Sequence, residues 1–435
     1  MPQEKVPPFP ETATEDLIDD IRSSLIGEGA VLDGPFGPRR MVYADFAASG
    51  RALSFVEEYI RNDVLPFYAN THTEASGTGR RTTRLREEAR DAIGAAVGAG
   101  LEDVVLFCGS GSTAAIDKLI AVLNLRIPRE LDARYDLSGH VPLQARPVVF
   151  IGPYEHHSNE LAWRESLATV VVIPEDAAGR IDALALERAL IEHAARPLKL
   201  ASFSAASNVT GLLSDVRGLT ALLHRHGALA FWDYAAAAPY VRVEMNPRQA
   251  NLSPALTALD AVFISPHKFA GGPSTPGLLI AKRRLFQNSV PTVPGGGTIA
   301  YVNADVQRYT PDIASREEAG TPAIVEAIRA ALVFELKTAV GEDTILRREE
   351  SFVRRALSSL GSRPEIVVLG NVDAPRVPIV SFLIRHGDGF LHHHFVVRLL
   401  NDLFGIQARS GCSCAGPYGH ALLGVEPEAS RGFDE

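Results

Sequence analysis

The feature that most constrains the fold of this 435-residue chain is an alternation that begins near residue 85. Short apolar, β-branched runs at residues 104–107, 148–151, 170–173, 198–203, 228–232 and 261–264 are interleaved with helical segments at residues 84–97, 113–123 and 214–226. Runs with no polar face, separated by helices of about ten to fifteen residues, call for a mainly parallel sheet covered by helices on both faces. The helix at Ser214 carries its own punctuation: a Ser N-cap beside an acid, and Gly227 just past its end. Open sheets of this kind bind ligands outside the carboxyl ends of their strands. Polar clusters at those ends are therefore where chemistry is to be sought.

Beyond about residue 325 the rhythm changes. A long helical segment, Ile324–Val340, leads to apolar runs at residues 365–369 and 377–384 and to a helix near residues 390–403. That pattern predicts a smaller α+β domain. The expected division is an N-terminal arm (1–40), Pro- and Gly-rich apart from an amphipathic segment near residues 16–25, then a large domain (41–325) and a small C-terminal domain (326–435). Residues 129–147 interrupt the alternation and read as a surface insertion. The composition, 46% hydrophobic and 22% charged, is that of a soluble globular enzyme. A net charge of −9 argues against general nucleic-acid or anionic-membrane binding. No apolar run is long enough to span a bilayer, and Met1-Pro2-Gln3-Glu4-Lys5 lacks a secretory pattern, which makes the cytoplasm the default. Three cysteines exclude a disulfide framework, and Cys108 reads as a small apolar residue at a strand end.

Ser265-Pro266-His267-Lys268 follows the run at 261–264, so a lysine stands where a buried strand gives way to a loop. Desolvation lowers the pKa of such an amine and leaves it free to attack a carbonyl. One strand-plus-helix unit earlier, the run at 228–232 ends in Asp233. A lysine and an acid at the carboxyl ends of two such strands are what pyridoxal phosphate requires. The lysine forms the Schiff base, and the carboxylate keeps the pyridine nitrogen protonated.

Other clusters share that position. Gly109-Ser110-Gly111-Ser112-Thr113 closes a strand and opens a helix, either as a phosphate cradle or as a capped turn; Lys268 and Asp233 decide for the phosphate. His156 follows the run at 148–151 and could lie on a cofactor ring and shuttle protons. Arg409-Ser410-Gly411-Cys412-Ser413-Cys414 places a guanidinium five residues before a loop thiol, where it could hold a substrate carboxylate and favour the thiolate. His392-His393-His394 points in different directions on a helix start, with no acid or cysteine at ligand spacing, and Cys412 and Cys414 have no second cysteine pair; no metal site is expected.

With these residues assembled, the chain resembles the class V, fold type I pyridoxal-phosphate enzymes, and within them the cysteine desulfurase and selenocysteine lyase group. The resemblance runs from residues 43–49 to the Cys414 loop. It covers Glu155-His156-His157, Ser207-Asn208-Val209, Asp233, and Ser265, His267 and Lys268, and it ends on Arg409, Gly411 and Cys414. It implies that His156 stacks on the cofactor, that Asn208 approaches the ring hydroxyl and the substrate, and that Ser265 and His267 join Ser112 and Thr113 on the phosphate. It also implies that Arg409 and His72 meet the substrate and that Cys414 accepts sulfur. The Gly295-Gly296-Gly297-Thr298 and Glu318-Ala319-Gly320-Thr321-Pro322 segments match loops near a dimer interface, where Thr298 would complete the cofactor site of a neighbouring copy. The implied reaction converts L-cysteine to alanine and a Cys414 persulfide, in a homodimer with a sulfur-acceptor protein.

Three departures stand out. Ala236 occupies the position where the family usually carries Gln, Cys412 adds a second thiol, and the sequence ends at Glu435, where the family continues through another strand and helix, so a shortened small domain is expected. Transamination, epimerisation or β-elimination on a small amino acid, and a catalytically idle scaffold, stay open as alternatives.

Overall fold

The structure, a computed structural model, describes residues 14–71, 73–248 and 250–425. Its centre is a seven-stranded sheet: β1 (Asp103–Cys108), β2 (Val148–Ile151), β3 (Thr169–Val172), β4 (Lys199–Ser204), β5 (Leu229–Asp233), β6 (Ala261–Ile264) and β7 (Gly277–Lys282). The spatial order is β1-β7-β6-β5-β4-β2-β3. Strands β2 to β6 pair in parallel. Only β7 runs against its neighbours, between β1 and β6. The expected mainly parallel α/β sheet is present, and each expected run lies within a residue of its strand. Strand β7 was not anticipated, although the signal is there. An apolar run that follows β6 with no intervening helix has to pair antiparallel.

Both faces are covered because alternate side chains point opposite ways. Val148, Phe150, Phe203, Trp232, Val262 and Ile264 share one core with Ile93, Leu222 and Phe334 from helices Gly77–Ala96, Val216–Arg225 and Ile324–Val340. Val149, Ile151, Leu200, Phe231 and Phe263 share the other with Ile116, Leu119 and Ile120 of helix Gly111–Val122. Each such fully buried large side chain contributes about 1.5–3 kcal/mol. A third cluster docks Leu17 of helix Thr14–Ser23 onto Leu53, Ile328 and Leu332.

Several local expectations are corrected. Asp215, not Ser214, caps helix Val216–Arg225: its carboxylate accepts from the Gly218 N–H (2.9 Å), while the Ser214 hydroxyl donates to the Ser204 carbonyl (2.6 Å). Helix Gly77–Ala96 starts well before residue 84, because its polar first turns hide the apolar period; Ser76 caps it through the Gly79 N–H (3.1 Å). The apolar run at 377–384 becomes a strand only at Phe382–His386, which pairs with Ile366–Val368. Pro378 cannot donate to a ladder, and the residues before Phe382 bind the large sheet's loops instead: Val377 N–H donates to Gly211 (2.9 Å) and the Ser381 hydroxyl to Val209 (2.6 Å). Helix Glu342–Gly361 was not foreseen, and the helix expected near 390–403 is His393–Phe404, preceded by Gly389–Phe390 as an edge strand. Among the described residues, no helix is long and apolar enough to cross a membrane.

Candidate active site

Strands β1, β2, β4, β5 and β6 end on one edge of the sheet, and their following loops bring together residues up to 159 positions apart in sequence order, from Gly109 to Lys268. Strand β6 turns through a single 3₁₀ turn, Pro266–Lys268, which leaves Lys268 half-buried beside the end of β5. Burial pulls the Lys268 amine below the ordinary lysine range, against the opposing pull of the Asp233 carboxylate. Asp233 is buried at 4% exposure and accepts from the Ala235 N–H (2.9 Å). Burial pushes its carboxyl up, while that N–H and the Lys268 charge pull it down.

The loop after β1 runs into helix Gly111–Val122, and β6's loop closes over it. The Ser112 N–H donates to Ser265 Oγ (2.9 Å). Gly111 adopts φ +57°, and a Cβ there would stand 3.0 Å from Ser265 Oγ and 3.2 Å from His267 Cε1. Only glycine leaves this corner open, next to N–H groups of a helix start that could hold an anion. The Thr113 hydroxyl meets Ser158 Oγ (2.6 Å), which in turn meets His156 Nδ1 (3.0 Å). Burial pulls His156 down to about 4, with Lys268 adding to the effect, so its imidazole is neutral at neutral pH. His267 is also pulled down by burial.

The thiol loop closes the site from the far end of the chain. The Ala415 N–H donates to the Cys412 carbonyl (2.9 Å), while Ser413 and Cys414 sit at φ +49° and +56°. Positive φ at both central residues defines a type I′ turn, a conformation that costs non-glycine residues on the order of 1–3 kcal/mol each. Asn208 Nδ2 donates to the Ser413 carbonyl (2.6 Å), and its buried Oδ1 has no hydrogen-bond partner. Arg409 is held by Asp45 (Nε to Oδ1, 2.9 Å). Both cysteines of the loop are exposed, whereas burial pushes Cys108 up to about 12, as suits an inert strand-end thiol. Lys268, Asn208, Arg409 and Cys412 line one crevice of about 1110 Å³, which continues along apolar side chains between helix Ile324–Val340 and strand Phe382–His386. Gly109, Gly111 and His267 line a second, of about 840 Å³.

Of the expected site residues, Ser112, Thr113, His156, Asn208, Asp233, Ser265, His267, Lys268, Arg409 and Cys414 converge on this edge. Thr298 does not: its hydroxyl donates to the Gly295 carbonyl (2.7 Å) beside the hairpin Ile299–Val302 and Gln307–Tyr309. His72 lies outside the described residues. The rings of His392, His393 and His394 pack 4.2–5.4 Å apart at a helix start, and no metal-holding group of His, Cys, Asp or Glu is found among the described residues. Two contributors were not anticipated, nor was the bracing role of a third, Glu155. Asp45, which fixes Arg409 across 364 positions, leaves no local signal. Ser158 bridges Thr113 and His156. Glu155 is a fully enclosed brace that accepts from Gly152 N–H (3.1 Å), Ser204 N–H (2.9 Å), Ser204 Oγ (2.6 Å) and Asn159 Nδ2 (2.6 Å).

A family described as "Aminotransferase class-V" matches residues 42–427. A probable cysteine desulfurase of Halalkalibacterium halodurans is 27% identical over 391 residues, covering 89% of this chain and 87% of that protein. Another, from Streptomyces coelicolor, is 26% identical over 385 residues, covering 87% and 84%. Among solved structures, the apo cysteine desulfurase of Thermococcus onnurineus superposes with a TM-score of 0.72 at 25% identity, covering 95% of this chain and 96% of that one.

Proposed function

The chain belongs to the class-V aminotransferase family, and from that premise we propose that it is a cytoplasmic pyridoxal-phosphate enzyme that removes sulfur from L-cysteine, giving alanine and a persulfide on Cys414. The observation that carries this reading is the meeting of Lys268, Asp233, Asn208 and the Cys414 turn at one sheet edge. The residues suit the cofactor on their own terms. Asn208 Oδ1 is buried and unpaired, Asp233 is a buried carboxylate without a cation of its own beyond Lys268, and Gly111 keeps a corner open beside Ser265 and His267.

When bound, the cofactor supplies an electron sink for the substrate α-carbon. Lys268 Nζ would hold it and then move the α-proton, a task that burial favours by disfavouring the ammonium form. Asp233 would keep the ring nitrogen protonated. Gly111, Ser112, Thr113, Ser265 and His267 would hold the phosphate. Neutral His156 would lie on the ring and pass protons, and Asn208 would meet the ring hydroxyl and the substrate. Arg409, steadied by Asp45, would take the substrate carboxylate. The Cys414 thiolate would attack the substrate sulfur; as the S–S bond forms, the Cβ–S bond breaks, its electron pair stays with carbon, and a proton completes alanine. A second copy of the chain would bring Thr298 to the phosphate, and an acceptor protein would discharge the persulfide. Ala236, buried and unable to hydrogen-bond through its side chain, favours a second reading, in which the ring is tuned for other class V chemistry on a small amino acid.

Alanine release from L-cysteine tests the proposal. Wild-type protein should release it, and Lys268→Ala and Cys414→Ala should not. Alanine formed by Cys414→Ala at the wild-type rate, with a physiological acceptor present, would overturn the desulfurase reading.

A further inference from the structure

His156 and His157 are neighbours with different attachments. His156 is the N-cap of helix His157–Arg164, and its Nδ1 accepts from the Ser158 N–H (3.1 Å). His157 is the first helical residue, and both of its polar groups reach across to the thiol loop. Its N–H donates to the Cys414 carbonyl (2.7 Å), and its Nε2 accepts from the Gly416 N–H (3.0 Å). None of the chemistry derived above uses His157.

The loop needs a hold of this kind. Ser413 and Cys414 are both left-handed, at φ +49° and +56°, and Gly411 just before them lies at φ +93°. Serine and cysteine leave that region readily unless their surroundings fix them. In the turn as it stands, Cys414 is close enough to Lys268 for their charges to interact. A return of Ser413 and Cys414 to negative φ would rotate the peptide between them and carry the thiol away from that position. The Asn208 amide on the Ser413 carbonyl is one restraint. The two His157 bonds bracket Cys414 itself, one on its own carbonyl and one two residues later. Gly416 belongs to the same fit, since a Cβ there would lie 3.3 Å from His157 Nε2.

We propose that His157 is a positioning residue that clamps the left-handed Cys414 turn toward Lys268 during sulfur transfer. The clamp needs an imidazole whose Nε2 carries no proton, because that atom accepts from the Gly416 N–H. The inference rests on Cys414 as sulfur acceptor.

His157→Pro is the sharpest variant. Proline is tolerated at the first helical position, and His156 at ψ 148° already has the extended backbone that a following proline demands. The change removes both bonds without breaking the helix. His157→Ala removes only the ring bond and serves if the proline variant does not fold. His157→Gln keeps the N–H and offers a carbonyl oxygen to Gly416. In the cofactor-loaded protein, hydrogen exchange in the peptide spanning residues 411–418 should quicken about tenfold in His157→Pro and His157→Ala and return toward wild type in His157→Gln. Single-turnover alanine formation should fall about tenfold in the same two variants, with KM for cysteine within about twofold and cofactor absorbance unchanged. Unchanged exchange in both the Pro and Ala variants overturns the clamp, as does failure of Gln to restore it. The exchange measurement judges the clamp whatever the reaction. Absence of alanine from the wild type would instead count against the desulfurase reading.

Discussion

At Lys268 two influences oppose each other: burial favours the free amine, and the Asp233 carboxylate favours the ammonium. Asp233→Asn removes the second, so the Lys268 pKa should fall further, read in the cofactor-free protein as a downward shift in the pH titration of Lys268 acylation. Alanine release should drop about 10²–10³-fold, as when one preorganised charge partner is lost. An unshifted titration would mean that the two residues do not communicate. Both residues were legible in the sequence because each ends an apolar run, where a charged side chain has no packing reason to be. Asp45 was not, since its role exists only once residues 45 and 409 meet. The His157 bonds to the thiol loop were equally invisible, because nothing in Glu155-His156-His157 separates the two imidazoles.

Among the elements, strands were easier to place than helix starts. The runs at 148–151 and 261–264 match β2 and β6 to the residue because full burial on both faces leaves nothing polar to blur their ends. Helix Val216–Arg225 shows the opposite case: two adjacent residues could each cap it, and only the reach of the side chain to the Gly218 N–H decides for Asp215. Asp215→Ala should cost about 1 kcal/mol in urea unfolding, while Asp215→Asn should be close to neutral; equal losses would return the cap to Ser214. A larger effect belongs to the buried cluster that joins helix Gly77–Ala96 to β1. Glu318 accepts from Arg90 (2.9 Å), from Arg86 and from the Phe107 N–H (2.7 Å). Glu318→Ala strands two buried guanidinium groups and should cost about 3–5 kcal/mol. A loss below about 1 kcal/mol would show that water reaches them freely.

Across the whole molecule, two buried carboxyls with opposite shifts shape the dependence of stability on pH. Burial alone would raise Glu318, but Arg90 and Arg86 outweigh it and hold the carboxyl below its ordinary range; its contribution is present above the unfolded pKa and is lost as pH falls through the folded one. Glu155 is pushed up to about 7 by burial, against its hydrogen bonds from Ser204 and Asn159. Its contribution is full below the unfolded value of about 4.3 and is lost as pH rises toward about 7. Unfolding of wild type and Glu155→Gln at about pH 4.5 and about pH 7.5 should therefore show the variant gaining on wild type as pH rises. A constant gap would mean that Glu155 ionises normally. These carboxyls brace a sheet edge whose proposed purpose is to bring Lys268 and Cys414 together for sulfur transfer. Mass spectrometry of the alkylated peptide containing Cys412 and Cys414, after a single turnover with L-cysteine, tests that purpose most directly. One additional sulfur on Cys414, absent from Lys268→Ala protein and retained in Cys412→Ser, is the expected result. Sulfur on Cys412 alone, or alanine released with neither cysteine modified, would contradict it.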